Sequence, residues 1–398
     1  MRWLACIMAL ALFASMAQAQ EKQTARPQVG EPVQQAGQLL KERKYKEALA
    51  KLATADAVRD KTAYERYVIE GTRAAIDQAS GDYPGTIKAL QAVLATGILP
   101  PAEAAARLQT IVQLDYQVKD YRAVIADAGR YYQQGGTAEE PRQLEAQAYY
   151  LQSDFADALK TLRAVIAADD KAGRKPDENL LLTLLNSEFQ QNDQAGRIET
   201  LKRLVALYPK PQYWSNLLTA VGRQPGFADR LTLDLDRLKL ATGAMTAAND
   251  YMEAAQLALL DELPGDAKAF LDKGYATGAL GKDTQVDREN RLRTMVGQQV
   301  ATTDKSLAQQ AAAANDAAAL EKLGETYASA SQYDKAIAAY SQALQKGGLA
   351  HPDDARLHLG LAYLASGQKA KAREILGSVS APDGARDLAQ LWMIKAGL

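Results

Sequence analysis

Histidine is the side chain best suited to proton transfer and metal ligation near neutral pH, and this chain of 398 residues holds two, His351 and His358. With Asp353 and Asp354 they could be drawn as a metal site. Zinc hydrolysis, however, asks for a closer pair, such as two histidines four positions apart on one helix face, and none is present. The residues read instead as a loop histidine before a proline, a solvated helix histidine, and two acids that favour a helix N-terminus. The paired carboxylates Glu139-Glu140, Asp169-Asp170 and Asp234 with Asp236 are the remaining candidates for acid–base work. Placed in turns or on wet helix faces, without flanking aromatics to raise a pKa, they read as solubilising groups. There is no Gly-x-Ser-x-Gly elbow and no phosphate-cradling Gly-x4-Gly-Lys-Ser/Thr loop. The chain reads as non-enzymatic, with no catalytic, cofactor-binding or metal-ligating residue assigned.

The elements that would position any functional side chain are helical. From about residue 31 the apolar residues fall at helical spacing, as in Ala158, Leu159, Leu162, Val165 and Ile166, and no alternating strand pattern appears. A recurring turn separates the helices: a small or polar residue and an Asp or Lys precede an aromatic, as in Lys44-Tyr45, Gly81-Asp82-Tyr83, Lys119-Asp120-Tyr121 and Ser153-Asp154-Phe155. Fainter turns fall at Gln194, Phe227, Pro264, near Ala301, at Tyr333 and at Lys369. These ten markers, from position 45 to position 369, make nine intervals with a mean of 36 residues. A period of that size predicts stacked helix pairs, each burying its apolar face on its neighbours.

The stretch 317–344 carries the pattern most fully. Leu320, Leu323, Gly324 and Tyr327 mark one helix, and Tyr333, Ala336, Ile337, Tyr340, Ala343 and Leu344 the next. Leu359, Gly360, Tyr363, Gly367, Ala372 and Leu376 repeat the scheme 36 positions later. This resembles the tetratricopeptide repeat, in which small residues at the Gly324 and Ala336 positions let two helices cross closely. The resemblance implies an all-α fold, a right-handed α-solenoid of about ten helix pairs, closed by a C-terminal helix in which Leu388, Leu391, Trp392 and Ile394 cover the last repeat while Asp387, Gln390 and Lys395 face water. It also implies a concave surface lined by the first helix of each pair. Carried over, the lining positions are Gln109, Gln113, Tyr116 and Gln117, then Gln143, Gln147 and Tyr150, then Asn186, Phe189 and Gln190. Amides and aromatics at such positions suit a peptide backbone. The equivalent positions Glu321, Glu325, Leu357 and Leu361 lack the lysines and asparagine of the family's chaperone-tail clamp, which excludes that role. The segments Tyr208-Pro209-Lys210-Pro211-Gln212-Tyr213-Trp214, Lys346-Gly347-Gly348-Leu349, His351-Pro352 and Leu391-Trp392 further resemble periplasmic members of the family found beside TonB, ExbB and ExbD components in Gram-negative bacteria.

The first twenty residues fit that location. Arg2 precedes an apolar run of 14 residues, 3–16, and Ala17-Gln18-Ala19 follows, which reads as a secretory signal cleaved after Ala19. The run is too short to span a bilayer. Cys6, the sole cysteine, lies before most of the apolar segment rather than after it, so no lipoprotein box is read and the mature chain holds no disulfide. Without Arg2 the balance is 46 basic against 48 acidic residues, which offers no footprint for nucleic acid. The expected organisation is a signal peptide 1–19, a flexible leader 20–30, an N-terminal repeat array 31–209, a degenerate middle segment 210–315 and C-terminal repeats with a capping helix 316–398. The array reads as one uninterrupted superhelix, the alternative being two solenoids, 31–209 and about 316–398, around an unrelated helical segment. The functional expectation is a periplasmic scaffold without cofactors that holds a protein segment of the cell envelope, in a TonB-type transport assembly. A binder of peptidoglycan or envelope polysaccharide is the alternative, because stacked aromatics and amides also suit sugars.

Overall fold

The computed structural model describes residues 24–282 and 285–398, so the signal peptide expected over 1–19 lies outside the described residues. Those residues form twenty α-helices and one short 3-10 helix, with no strand among them. The all-α class is as read. No described helix is long and apolar enough to cross a membrane. The chain forms two compact units, one ending at Ala168 and one running Asp169–Leu398. This division differs from boundaries at 209 and 315, because compactness follows which helices bury one another and repeat regularity does not report that.

The first unit is built from hairpins: α1 (Pro27–Lys41) with α2 (Tyr45–Asp56), α3 (Ala63–Ser80) with α4 (Tyr83–Ala95), α5 (Pro101–Gln117) with α6 (Tyr121–Gln133), then α7 (Glu140–Leu151) and α8 (Phe155–Lys171), which contains the boundary. The leader is shorter than expected, since residues 27–30 are helical and Val29 is buried. Pro27 is suited to a first helical position, where its missing N–H costs nothing. Arg26 pins the entry: its backbone N–H, Nε and Nη2 all donate to the Glu65 carboxylate, which is 0% exposed.

The second unit holds α9 (Glu178–Gln190), α10 (Gln194–Leu207), α11 (Pro211–Gly222), the 3-10 helix Asp229–Leu231, α12 (Thr232–Thr242), α13 (Ala248–Leu260), α14 (Pro264–Thr277), α15 (Val286–Ala313), α16 (Ala317–Ser329), α17 (Tyr333–Lys346), α18 (Pro352–Ala365), α19 (Lys369–Gly377) and α20 (Ala385–Ala396). Nine of the ten expected turns are present among the described residues. The tenth, near Ala301, is not a turn: α15 runs unbroken for 28 residues. Its apolar stripe explains this, since Leu292, Val296 and Val300 join the core around α13 and α14 while Leu307 and Ala311 join the core around α16 and α17.

The turn marker has a physical basis. In eight hairpins the residue two before the second helix has a positive φ: Arg43, Gly81, Lys119, Ser153, Asn192, Glu262, Ser331 and Gly367. The next amide then bonds back five residues, Asp82 to the Asp77 carbonyl, Asp120 to Asp115 and Gln332 to Tyr327, the Schellman arrangement. Where that next residue is Asp, its carboxylate also caps the following helix, Asp82 accepting from Gly85, Asp120 from Ala123 and Asp193 from Gly196. One residue thus ends a helix and starts another.

Close crossing holds the C-terminal pairs together. A Cβ added at Gly324 would sit 2.7 Å from the Tyr340 ring, and one at Gly360 would sit 2.6 Å from Leu376. Ala336 is fully buried in the same core.

Candidate functional site

Two places in the fold gather polar side chains. In the first unit, α5 and α7 are adjacent first helices, and their long polar side chains reach each other. Gln113 Nε2 donates to Glu140 Oε2 at 2.7 Å, Gln109 Nε2 reaches the same oxygen at 3.4 Å, and the Tyr116 hydroxyl donates to Gln147 Oε1 at 2.7 Å. Gln143 and Tyr150 are half-buried on α7, with Tyr150 edge-on to Phe155 at 5.7 Å between ring centres, and Gln117 is exposed. Under this face Asp115 of α5 is buried near Asp127 of α6, which itself accepts from Gln91 Nε2 at 2.9 Å and Arg130 Nη1 at 2.6 Å. Burial, and then the neighbouring Asp127 charge, push the Asp115 carboxyl up to about 7.

The second gathering is a seam in the second unit, where the C-terminal helices pack onto α10, α12 and α14. Arg237 of α12 donates from Nη1 to Asp234 at 2.6 Å, and from Nε and Nη2 to Asp266 of α14 at 3.2 and 3.0 Å. His358 of α18 places Nε2 3.0 Å from Asp234 Oδ1, and its Nδ1 lies 3.7 Å from Glu325 of α16. Burial alone would lower the His358 pKa, but the Asp234 carboxylate outweighs it and raises the imidazole to about 9. Burial would likewise raise Asp234, yet His358 and Arg237 hold it below the usual carboxylate range.

Hydrogen bonds extend the seam in both directions. Lys322 Nζ donates to the Asp261 carbonyl, and the Asp266 amide donates to Ser329 Oγ at 3.0 Å. Arg230 bridges Asp354 and Asp383, and the Ala228 amide donates to the Asp383 carbonyl. Lys202 of α10 lies 3.6 Å from Asp387 of α20. Asp353 accepts the Ser380 and Ala381 amides at 2.9 and 2.6 Å, tying the segment before α20 to α18. Among the described residues no cluster of three or more His, Cys, Asp or Glu is placed to hold a metal ion.

Between α12, α14, α16, α17, α18 and α20 the seam leaves a cavity of about 330 Å³. Its lining includes the apolar Leu361, Leu364, Ala365 and Trp392 and the polar or charged Arg237, Asp266, Ser329, Tyr340 and His358.

Residues 327–398 match the tetratricopeptide repeat family. That is the part of the chain where Gly360 and Ala336 make the close crossings described above. No curated protein matches the chain in sequence. Among solved structures it is similar to the TPR2AB domain of yeast Sti1 in its pHSP90 complex, at 14% identity over 75% of this chain and 100% of that one, with a TM-score of 0.25. It is also similar to the C-terminal part of a TPR repeat-containing protein from Cytophaga hutchinsonii, at 12% identity over 81% and 98% of the two chains, with a TM-score of 0.33. Yeast Tom70 shares 11% identity over 93% and 95%, with a TM-score of 0.21. Likenesses this loose bear on no function.

Of the ten lining residues read from the tetratricopeptide pattern, seven belong to the first unit and Asn186, Phe189 and Gln190 to α9 of the second. Phe189 is 57% exposed, with the Arg197 guanidinium 4.9 Å from its ring centre. Gln109, Gln113 and Gln147 are half-buried and hydrogen-bonded within the protein, because consecutive first helices lie side by side.

The C-terminal end differs more from the sequence reading. His358 is not a solvated helix residue, Asp234 is 3% exposed, and Asp353 and Asp354 serve long-range contacts rather than a helix end alone. Asp387 does not face open water, being paired with Lys202. A local signal for two of these existed. Asp234 shares a helical stripe with Leu231, Leu235 and Leu238, and His358 shares one with Ala355, Leu359 and Ala362, so each polar group sits on a face that must be buried.

Proposed function

We propose that the chain is a non-enzymatic adaptor of the cell envelope that holds a protein segment on the first-helix face of its N-terminal unit. The observation that carries this reading is the α5–α7 row, in which Gln113, Tyr116 and Gln147 sit half-open to solvent with groups that can exchange partners. An extended backbone offers both the donors and the acceptors that such amides need, and the tyrosines add apolar area at low entropic cost. Placement in the periplasm rests on the N-terminal apolar run and the Ala17-Gln18-Ala19 site. Membership of a TonB-type transport assembly rests on the resemblance of short segments such as Tyr208-Pro209-Lys210-Pro211 and Leu391-Trp392 to periplasmic proteins of that setting.

Capture from detergent-solubilised envelope tests the reading. Gln113→Ala with Gln147→Ala should lower capture of an envelope protein about tenfold or more, while Lys160→Ala with Arg163→Ala on exposed positions of α8 leaves it unchanged. Equal loss in both variants, or pelleting with isolated cell wall instead of protein capture, overturns it in favour of a wrong face or a polysaccharide ligand. Fractionation tests the location, with a periplasmic protein beginning at Gln20 as the expected result and a full-length cytoplasmic one as the refuting result.

A further inference from the structure

The cavity in the second unit has features that structural packing does not require. It opens to solvent past half-buried Leu361, Leu364 and Trp392 and exposed Ala365, yet its inner end is bounded by buried charged and polar groups, Arg237 and His358 among them. All the charges there are matched. Arg237 spends its guanidinium on Asp234 and Asp266, His358 Nε2 meets Asp234, and Glu325 lies 3.7 Å from His358 Nδ1 and 3.5 Å from Lys322 Nζ, so three carboxylates face a guanidinium, an imidazole and an ammonium.

Hydrogen-bonding capacity is not matched. Among the described residues the Trp392 indole N–H is buried without a hydrogen-bond partner, and His358 Nδ1 has the Glu325 carboxylate only at 3.7 Å, although both side chains line the cavity. Tyr340, 1% exposed, also lines it. Leaving such groups unmatched is unfavourable unless a ligand completes them.

The remaining lining is apolar and includes Leu361, Leu364 and Ala365, with the Trp392 ring presenting both an apolar face and its N–H. We propose that this cavity binds an uncharged amphiphile of about thirteen non-hydrogen atoms, scaling from benzene in an engineered cavity of ~150 Å³, whose oxygen accepts from Trp392 and Tyr340 while its apolar body lies against Leu361 and Leu364.

The same geometry argues against other occupants. A carboxylate or an ammonium would bring an unpaired charge beside the buried Asp234, Arg237 and His358, whose charges are already matched, which is costly. An extended peptide is excluded by the seam. Its path along α16 and α18 is taken by the contacts of Ser329 with Asp266, Lys322 with Asp261 and Asp354 with Arg230. A small molecule needs only the cavity. This site is separate from the proposed protein-binding face, which lies in the other unit.

Titration of the 15N-labelled full chain with 4-phenylbutanamide tests the proposal, with 4-phenylbutanoate and 4-phenylbutylammonium as charged analogues of matching size. The Trp392 indole resonance should shift saturably while that of Trp214, buried in α11, stays in place, with a Kd on the order of 1 mM or tighter. Both charged analogues should bind at least about tenfold more weakly. Ala365→Trp, at an exposed position on the cavity rim, should abolish the shift without changing thermal stability. Tyr340→Phe should weaken the amide about fivefold. An unmoved Trp392 resonance, equal affinity for all three compounds, or unchanged binding by Ala365→Trp overturns the proposal.

Discussion

His358 and Asp234 are 124 positions apart in the chain, and their side chains meet at 3.0 Å. The pair joins α18 to α12 across the seam, with Arg237 on α12, Asp266 on α14, Glu321, Lys322 and Glu325 on α16 and Tyr340 on α17 around it. A protonated imidazole is the form that this setting favours, so folding and protonation are linked.

The sign of that linkage is definite. The folded pKa is raised from 6.5 to about 9, so the stabilisation is complete below pH 6.5 and is lost as pH rises through about 9. Thermal melts of the wild type should show the second unit weakening over that window, and His358→Gln should be flatter there. Parallel profiles for the two proteins would mean that His358 is neutral in the fold.

Asp115 titrates with the same sign in the first unit. Its carboxyl moves from 3.8 up to about 7 on folding, so its contribution is present below pH 3.8 and lost as pH rises through about 7. Asp115→Asn mimics the protonated form and should be more stable than the wild type at pH 8 and close to it at pH 4. A destabilised Asn variant at pH 8 would show that the ionised carboxylate is the one the fold prefers.

Gly324→Leu and Ala336→Leu should each destabilise the C-terminal pairs by about 1–3 kcal/mol or more through overpacking. A Cβ at Gly324 already lies within 2.7 Å of the Tyr340 ring, leaving the larger side chain no room. Unchanged denaturant midpoints would contradict the close crossing.

The unbroken α15 makes its own prediction. Ala301→Pro removes a mid-helix hydrogen bond and clashes with the preceding turn, which should cost about 3 kcal/mol or more. Were residue 301 in an interhelical turn, the same change would be nearly silent in urea titration.

Much of this architecture is legible in the chain itself, because its determinants are local. The αL residue and capping Asp at each hairpin, as in Gly81-Asp82 and Lys119-Asp120, act within a few positions of themselves and so appear as a recurring word. Helical spacing of the apolar residues and the small residues at Gly324, Ala336 and Gly360 likewise declare helix pairs and their close approach. Around Ala301 the chain holds no such word, and α15 runs through the position where the period alone implies a turn.

What tertiary structure alone decided is the seam. Nothing within reach of Asp234 along the chain identifies His358 as its partner, nor does Arg230 name Asp354 and Asp383, because contacts at such separation depend on how successive helix pairs turn on one another. Small crossing angles accumulate over many helices, and whether α20 ends the stack facing solvent or reaches Lys202 on α10 is set by that sum. The local sequence specified each hairpin, whereas the accumulated geometry matched the buried charges and left a cavity beside them.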